Sequence, residues 1–522
     1  MMVYFLSLSI ISVLCFSVVS LCILNTIFTL DLLSFGGNFW GLILSFDSIT
    51  MGVLLMLFIC FVYVLSYTHH YFGGDIAGFD LNKIICVFVG VMASLACTGD
   101  YLTTLIFWEY LGVVSFFLIL FYDSFLSLRS SIITLVSSRF GDVCLFLVIC
   151  LSCYSMNSVL FPLILFFFVI FTKSASFPFT SWLLEAMRAP TPVSSLVHSS
   201  TLVAAGVWFS MRYDFLLYFS NSIVFSLILL LTIFITGVCC FFFIDLKKIV
   251  ALSTCNNISW CVFYLIFGDW LLSLFQLLSH GVSKCILFML VGDVMSGSGG
   301  SQASNCVYSP QLYNNWGIFS LVMVVLGLSG APFIGVFFTK HLLLTSFMGV
   351  SNIILCTFTL ICVFLSYFYS FRLCSILINL KSSLTAGVLY FFNTSLMVYF
   401  WLFINYFISF VMDEHIGLNE LSGIMLIIFQ LVSCVTAVTL YNSNVLSSWS
   451  SSLFGCDNLV ELFYSLYYEM LVCANLFFYR WDNYIISLFN CVGVKSINVY
   501  LINFLNIVVL TLLLVLIVFM VV

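Results

Sequence analysis

The sequence predicts an all-α polytopic membrane protein, and three observations carry that expectation. Of 522 residues, 64% are hydrophobic and only 7% charged, against about 25% charged in a soluble domain. Uncharged runs long enough to cross a bilayer, each needing roughly 20 residues, recur along the chain. The runs are continuous, so they lack the alternating short strands of a β-barrel. About fourteen to sixteen spans are expected at that length, with the segments near 25–36 and 158–178 the weakest candidates.

The first run, "MMVYFLSLSIISVLCFSVVSLCIL", has no basic leading stretch and exceeds a signal-peptide core, so it reads as a retained span. Fourteen basic and twenty acidic residues give a net charge of −6. They are spread thinly, with no Lys/Arg cluster to grip nucleic acid or anionic headgroups. Most connecting loops hold no more than one or two basic residues, which leaves membrane orientation open. The twenty-one cysteines sit mostly singly inside apolar runs, where cysteine behaves as a small hydrophobe. The CxxC pair, Cys150 and Cys153, has no second pair nearby. No iron–sulfur spacing, Walker A loop or dinucleotide fingerprint is present, so neither a cofactor nor a metal is expected in this chain.

The ionisable residues inside apolar runs are the informative ones. A charge at mid-bilayer costs roughly 2.5–3.5 kcal/mol, so such residues face a bundle interior or water and pair with one another. His69 and His70 in "SYTHHYFGGD" read as solvated loop residues. From 101 to 340 the pattern differs. Glu109 lies near the middle of "LTTLIFWEYLGVVSFFLILF", where a carboxylate pairs with a basic group or takes up a proton. A structural ion pair is its plain alternative. Arg139 and Asp142 are three apart and His280 and Lys284 four apart, so each pair shares a helical face. A local ion pair explains the first as well as a function does. The second, imidazole beside ammonium, suits a proton relay.

Lys173 in "FTKSASFPFTSW" follows the uncharged run "VLFPLILFFFVIFT" and precedes Pro178; Lys340 follows Pro332 in "GAPFIGVFFTK". Proline within a span breaks or kinks the helix, which is tolerated only where protein or water satisfies the released backbone groups. Lysine in a dry site can exchange protons near neutral pH. Lys173 is therefore expected to load protons, the alternative being a lysine snorkelling at a helix end. A lysine beside a broken helix in each half suits a repeat-built transporter.

From "TKSASFPFTSWLLEAMRAPTPVSSLVHSSTLVAAG" through "DLKKIVALST" and "SHGVSKCILFMLVG" to "LGLSGAPFIGVFFTK", the chain resembles the antiporter-like membrane subunits of respiratory complex I, relatives of multisubunit cation/proton antiporters. The resemblance covers roughly residues 45 to 345. It implies two inverted five-helix repeats, each with a broken helix, and a line of ionisable residues along the membrane midplane. Matched motif by motif, that line is Glu109, Asp142, Lys173, His198, His280, Lys284 and Lys340. Gln276 stands where the family often has a second histidine, and His341 where an acidic residue commonly follows Lys340.

The resemblance also implies an organisation: N-terminal helices over 1–98, an antiporter-like core over 99–372, further helices over 373–442, a lateral-helix region over 443–498 and an anchor over 499–522. The stretch 458–489 carries Glu461, Glu469, Arg480 and Asp482 among aromatics and leucines. Such a helix suits a membrane surface better than a crossing; a short span broken by a loop is the alternative. The implied function is proton pumping in an inner mitochondrial membrane. FMN, iron–sulfur clusters and ubiquinone would lie in other subunits, and the partners would be membrane-arm chains, above all a neighbouring antiporter-like one, with lipid and no nucleic acid. A stand-alone sodium/proton antiporter subunit and a charge-locked scaffold are the rival readings.

Overall fold

The structure is a computed structural model that describes residues 26–35, 38–153, 160–213, 223–267, 270–310, 314–332, 335–347, 353–380, 382–383, 398, 401–402, 405, 420–441, 456–489 and 506–514. The chain divides into two compact units, Met1–Ser451 and Ser452–Val522.

The first unit begins with an antiparallel ribbon, β1 (Thr26–Phe35) and β2 (Asn38–Phe46). The segment near 25–36, a candidate span by its apolarity, is thus a strand. Ten residues would rise only about 15 Å as a helix, half the hydrocarbon thickness. Helices follow: α1 (Ser48–Phe72), α2 (Ile76–Ala96), α3 (Tyr101–Leu120), α4 (Phe125–Cys153), α5 (Leu160–Ser174), α6 (Ser181–Ala186), α7 (Thr191–Leu196), a π-helical turn (Val197–Thr201), α8 (Leu202–Arg212), α9 (Ile223–Phe242), α10 (Leu246–Phe267), α11 (Trp270–Gly297), α12 (Asn314–Ser329), α13 (Val336–Phe347), α14 (Ile353–Ile378) and α15 (Glu420–Tyr441). Among the described residues ten helices are long and apolar enough to cross a membrane. The expected spans in 1–24 and 499–522 lie largely outside the described residues.

Local chemistry sets the ends of α1. Asp47 and Thr50 form a capping box, with the Asp47 N–H donating to Thr50 Oγ1 at 2.8 Å. Gly73, at φ 60°, closes the other end in the left-handed conformation. Because the helix runs to that glycine, His69 and His70 belong to its last turn and not to a loop. Arg212, at the end of α8, binds the Asp47 carboxylate and donates to the carbonyls of Thr98 (3.2 Å) and Ser45 (3.4 Å). One guanidinium thereby ties together the ribbon, the start of α1 and the end of α2. Among the most buried helices are α7, α8, α10 and α11; α10 and α11 pack on each other, and α11 also contacts α1, α7 and α12.

Two helices are interrupted, and both close in the same way. After α5, Ala175 takes φ 54° and the Ser176 N–H donates back to Phe171 O at 3.1 Å. After α12, Gly330 takes φ 91° and the Ala331 N–H donates to Leu326 O at 2.9 Å. Each is a Schellman closure, followed within three residues by Pro178 or Pro332. The released carbonyls find donors: Trp182 Nε1 reaches Thr172 O at 3.0 Å, and Lys340 Nζ reaches Ser329 O at 2.6 Å. A Cβ on Gly330 would meet Phe337 backbone atoms at 3.1 and 3.3 Å. Gly330→Ala should therefore cost about 1–3 kcal/mol for the disallowed conformation, read as a lowered thermal midpoint in detergent.

The second unit contains α16 (Cys456–Phe489), one continuous 34-residue helix. At about 1.5 Å per residue it is roughly 51 Å long. Its described side chains from 462 to 487 are exposed, apart from the half-buried Ile485. No loop breaks it, so the broken-span alternative for 458–489 does not hold.

Candidate functional site

The first cluster joins α3, α4 and α5. Lys173, only 1% exposed, sits in the last turn of α5 with its Nζ 5.2 Å from the centroid of the Trp108 ring and 3.5 Å from the Trp108 carbonyl. Its carboxylate partner is Asp142, at 4.0 Å. Arg139 Nη1 lies 3.6 Å from Asp142 and 3.0 Å from Glu109. The order in space is therefore Glu109, Arg139, Asp142, Lys173. Glu109 and Lys173, expected as neighbours within reach of an ion pair or one bridging water, are linked through Arg139 and Asp142, with no direct ion pair between them among the described residues. Helix geometry explains the difference. Trp108 points inward onto Lys173, and its neighbour Glu109 is rotated by about 100° toward Arg139. The Glu109 and Arg139 side chains remain 47% and 43% exposed.

Backbone contact in this cluster is close enough to be sensitive. A Cβ on Gly141 would lie 2.1 Å from Thr172 Oγ1, one residue from both Asp142 and Lys173. Gly141→Ala should push α4 and α5 apart at a stability loss of about 1–3 kcal/mol from overpacking, read as a lowered thermal midpoint in detergent. An unchanged midpoint would show the spacing to be tolerant.

Centrally, Lys284 on α11 donates to Ser253 Oγ on α10. Both line a small cavity with Asn257, Ser329, Tyr369 and Ser370, with room of about 10 Å³ for the centre of a water molecule, close to the minimum that holds one water. His280, one turn before Lys284, is buried, and neither ring nitrogen has a hydrogen-bond partner among the described residues. Lys340 on α13 donates to Ser329 O at 2.6 Å and Ser366 Oγ at 2.7 Å, with the Tyr367 ring 4.0 Å away. The cavity thus borders Lys284 on one side and, through Ser329, the residue that holds Lys340. Beside it Thr339 Oγ1 donates to Gln276 Oε1 at 2.9 Å, and His341 Nε2 lies 3.0 Å from Ser422 Oγ. Among the described residues no carboxylate is within ion-pair distance of Lys284 or Lys340. Carbonyl and hydroxyl oxygens can accept from an ammonium and, more weakly, from an amine, and without a fixed counter-charge both sites suit a group that changes its proton count.

His198 lies in the π-helical turn, fully buried, with its ring 6.3 Å from that of Trp182. It is near the Ala186 backbone but beyond hydrogen-bond distance. π-Helical turns often mark functional positions.

The family model for the membrane domain shared by NADH:quinone oxidoreductases and Mrp antiporters matches residues 98–366, just over half of the chain. The chain belongs to this family. All seven expected site residues fall within the matched stretch. Proteins named NADH-ubiquinone oxidoreductase chain 5 are similar: that of Caenorhabditis elegans is 35% identical over 66% of this chain and 66% of its own length. The Aedes aegypti protein is 33% identical over 59% of this chain and 56% of its own, and the Ascaris suum protein 33% over 63% and 61%. The match spans less than two thirds of each relative. Among solved structures, the Mrp complex from Dietzia sp. DQ12-45-1b superposes with a TM-score of 0.68 at 18% identity, over 91% of this chain and 58% of that one. An archaeal membrane-bound sulfane sulfur reductase gives 0.60 at 15%, over 78% and 88%. These two likenesses concern the fold alone.

Within the family's matched stretch, sequence reasoning missed two features. Lys247 is buried and donates to Ala189 O at 3.3 Å, while Lys248 turns outward to Asp245 at 3.2 Å. Adjacent helical positions point about 100° apart, so on a helix buried over most of its surface one of the two lysines of "DLKKIV" turns inward. The other is the bridging place of Arg139, which depends on α3 and α4 packing side by side.

Proposed function

We propose that the chain is a proton-translocating membrane subunit of NADH:ubiquinone oxidoreductase, of the kind named chain 5, in the mitochondrial inner membrane. FMN, the iron–sulfur clusters and ubiquinone would sit in other subunits, and quinone reduction there would supply the energy. The observation that carries this reading is that of the four buried lysines, 173, 247, 284 and 340, only the first meets a carboxylate among the described residues. Buried lysines held by neutral oxygens are costly as structural parts and useful as proton carriers.

In this reading the guanidinium of Arg139 is shared between Glu109 and Asp142. When it moves toward Glu109, Asp142 is left to hold the Lys173 ammonium; when it moves toward Asp142, Lys173 is free to release its proton inward. The changed charge then acts on Lys284 through the buried polar interior, and on Lys340 through the small cavity and Ser329. Glu109 is the ninth of the twenty residues of α3. A half-exposed charge pair at that depth suits a protein or water neighbour and not lipid. That supports a place beside another membrane subunit, and "WEYLGVVSFFLI" together with the long α16 fits the distal antiporter-like chain.

The stand-alone antiporter reading has the Mrp fold likeness in its favour, but the relatives at 33–35% identity carry the oxidoreductase name. Mild-detergent purification decides between them. A large assembly containing flavin and iron–sulfur absorbance is the expected result, and recovery with only small membrane proteins would overturn it.

A further inference from the structure

A second set of polar residues lies apart from the relay. His70 Nε2, in the last turn of α1, is 3.2 Å from Asp293 Oδ1, near the end of α11. The His70 side chain is 23% exposed and that of Asp293 is 0% exposed, so the pair reaches from the surface into the interior. Helices α1, α7 and α11 pack against one another, and the π-helical turn touches both α1 and α11. Gly292 makes the approach possible. A Cβ there would lie 2.5 Å from the Tyr67 hydroxyl and 3.2 Å from Thr191 Cβ. The Tyr67 hydroxyl therefore lies against Gly292, the neighbour of Asp293 in sequence, on the side of Thr191.

From Thr191 the polar line continues inward. Thr191, Ser194, Ser195 and His198 fall at i, i+3, i+4 and i+7, one helical face, and all four are buried. Ser195 neighbours Cys285, two turns before Gly292 on α11, so this hydroxyl face runs along that helix. Ser194 donates to Thr191 O at 2.9 Å and Ser195 to Pro192 O at 2.7 Å, which leaves oxygen lone pairs able to accept. The seven-residue step from Thr191 to His198 rises about 10 Å, and Ser194 and Ser195 lie between its ends on the same face. His70 lies outside the stretch the family model matches.

We propose that His70 and Asp293 form a proton port, through which protons pass between water at that membrane face and His198. The proposal rests on the relay reading above and adds its connection to bulk water. His70 takes a proton from water and hands it to the Asp293 carboxylate. Each of Tyr67, Thr191, Ser194 and Ser195 then accepts a proton on oxygen and releases its own. The proton ends on a ring nitrogen of His198, and only O–H and N–H bonds form and break. The rival reading is a static latch between α1 and α11.

The test uses the whole assembly in proteoliposomes and measures protons moved per NADH oxidised. His70→Ala should lower translocation through this chain about tenfold, within the reach of a lost general acid–base group. Imidazole added to the medium should restore it, because the site is open to water; a latch would not respond. Gly292→Ala, which displaces the Tyr67 hydroxyl without removing any side chain of the port, should lower it likewise, and Tyr67→Phe serves if either variant fails to assemble. Normal translocation by His70→Ala and Tyr67→Phe, or a loss in assembled His70→Ala that imidazole does not restore, would overturn the port. Lys173→Met measured in parallel separates the two claims. If it too translocates normally, the relay reading is what has failed.

Discussion

Exchanging Lys173 for Met should abolish translocation through this chain, by about 10²-fold or more, the contribution of a general acid–base group. Electron transfer by the assembly, once formed, should continue at a reduced proton yield. The geometry adds a consequence. Asp142 lies 4.0 Å from the Lys173 amine and is itself buried. Removing one partner of a buried pair costs up to about 3–5 kcal/mol, part of which Arg139, 3.6 Å from Asp142, offsets, so the single variant should assemble less well than wild type. The double variant Lys173→Met/Asp142→Asn removes the stranded charge and should recover assembly while translocation stays absent. Blue-native gels and proton uptake measured on the same membranes check both halves. Wild-type proton yield from the assembled double variant would remove Lys173 from the mechanism.

Much of this was legible in one dimension, for physical reasons. Apolar runs and interior prolines report local facts, so the membrane fold and the interruptions beside Lys173 and Lys340 could be read directly. The Schellman closure at Gly330 carries the usual glycine signal, whereas that at Ala175 was not readable, since alanine gives no hint of a left-handed conformation. Partnership is a three-dimensional property. Glu109 and Lys173 each looked like a lone charge awaiting the other, and only the rotation of Trp108 inward decided that Glu109 meets Arg139 instead. His70 misled for a related reason: its Gly-Gly neighbours signalled a loop, whereas they end a helix that carries the imidazole to Asp293. The ribbon at 26–46 was hidden because ten apolar residues look alike in a strand and in a piece of helix.

Arg139 should prove as necessary as the lysine, although the sequence offered it a merely local role. It is the only residue within ion-pair distance of both Glu109 and Asp142 among those described. If charge on Glu109 reaches Lys173 through this guanidinium, Arg139→Gln should lower translocation by about the same factor as Glu109→Gln. The double variant should be no worse than either single, a failure of additivity that residues acting in series produce. Arg139→Lys should recover part of the function, because a lysine is a point charge and cannot hold two carboxylates in a planar fork. Stability should change little, since the Glu109–Arg139 pair is half exposed and such pairs contribute about 0–1 kcal/mol. A large loss of translocation with little loss of stability would separate a coupling role from a structural one. Proton yields for the three variants and the double, each at matched assembly, make the measurement. Independent, multiplying defects in Glu109→Gln and Arg139→Gln would mean that the two charges act separately, and Lys173 would then answer to Asp142 alone.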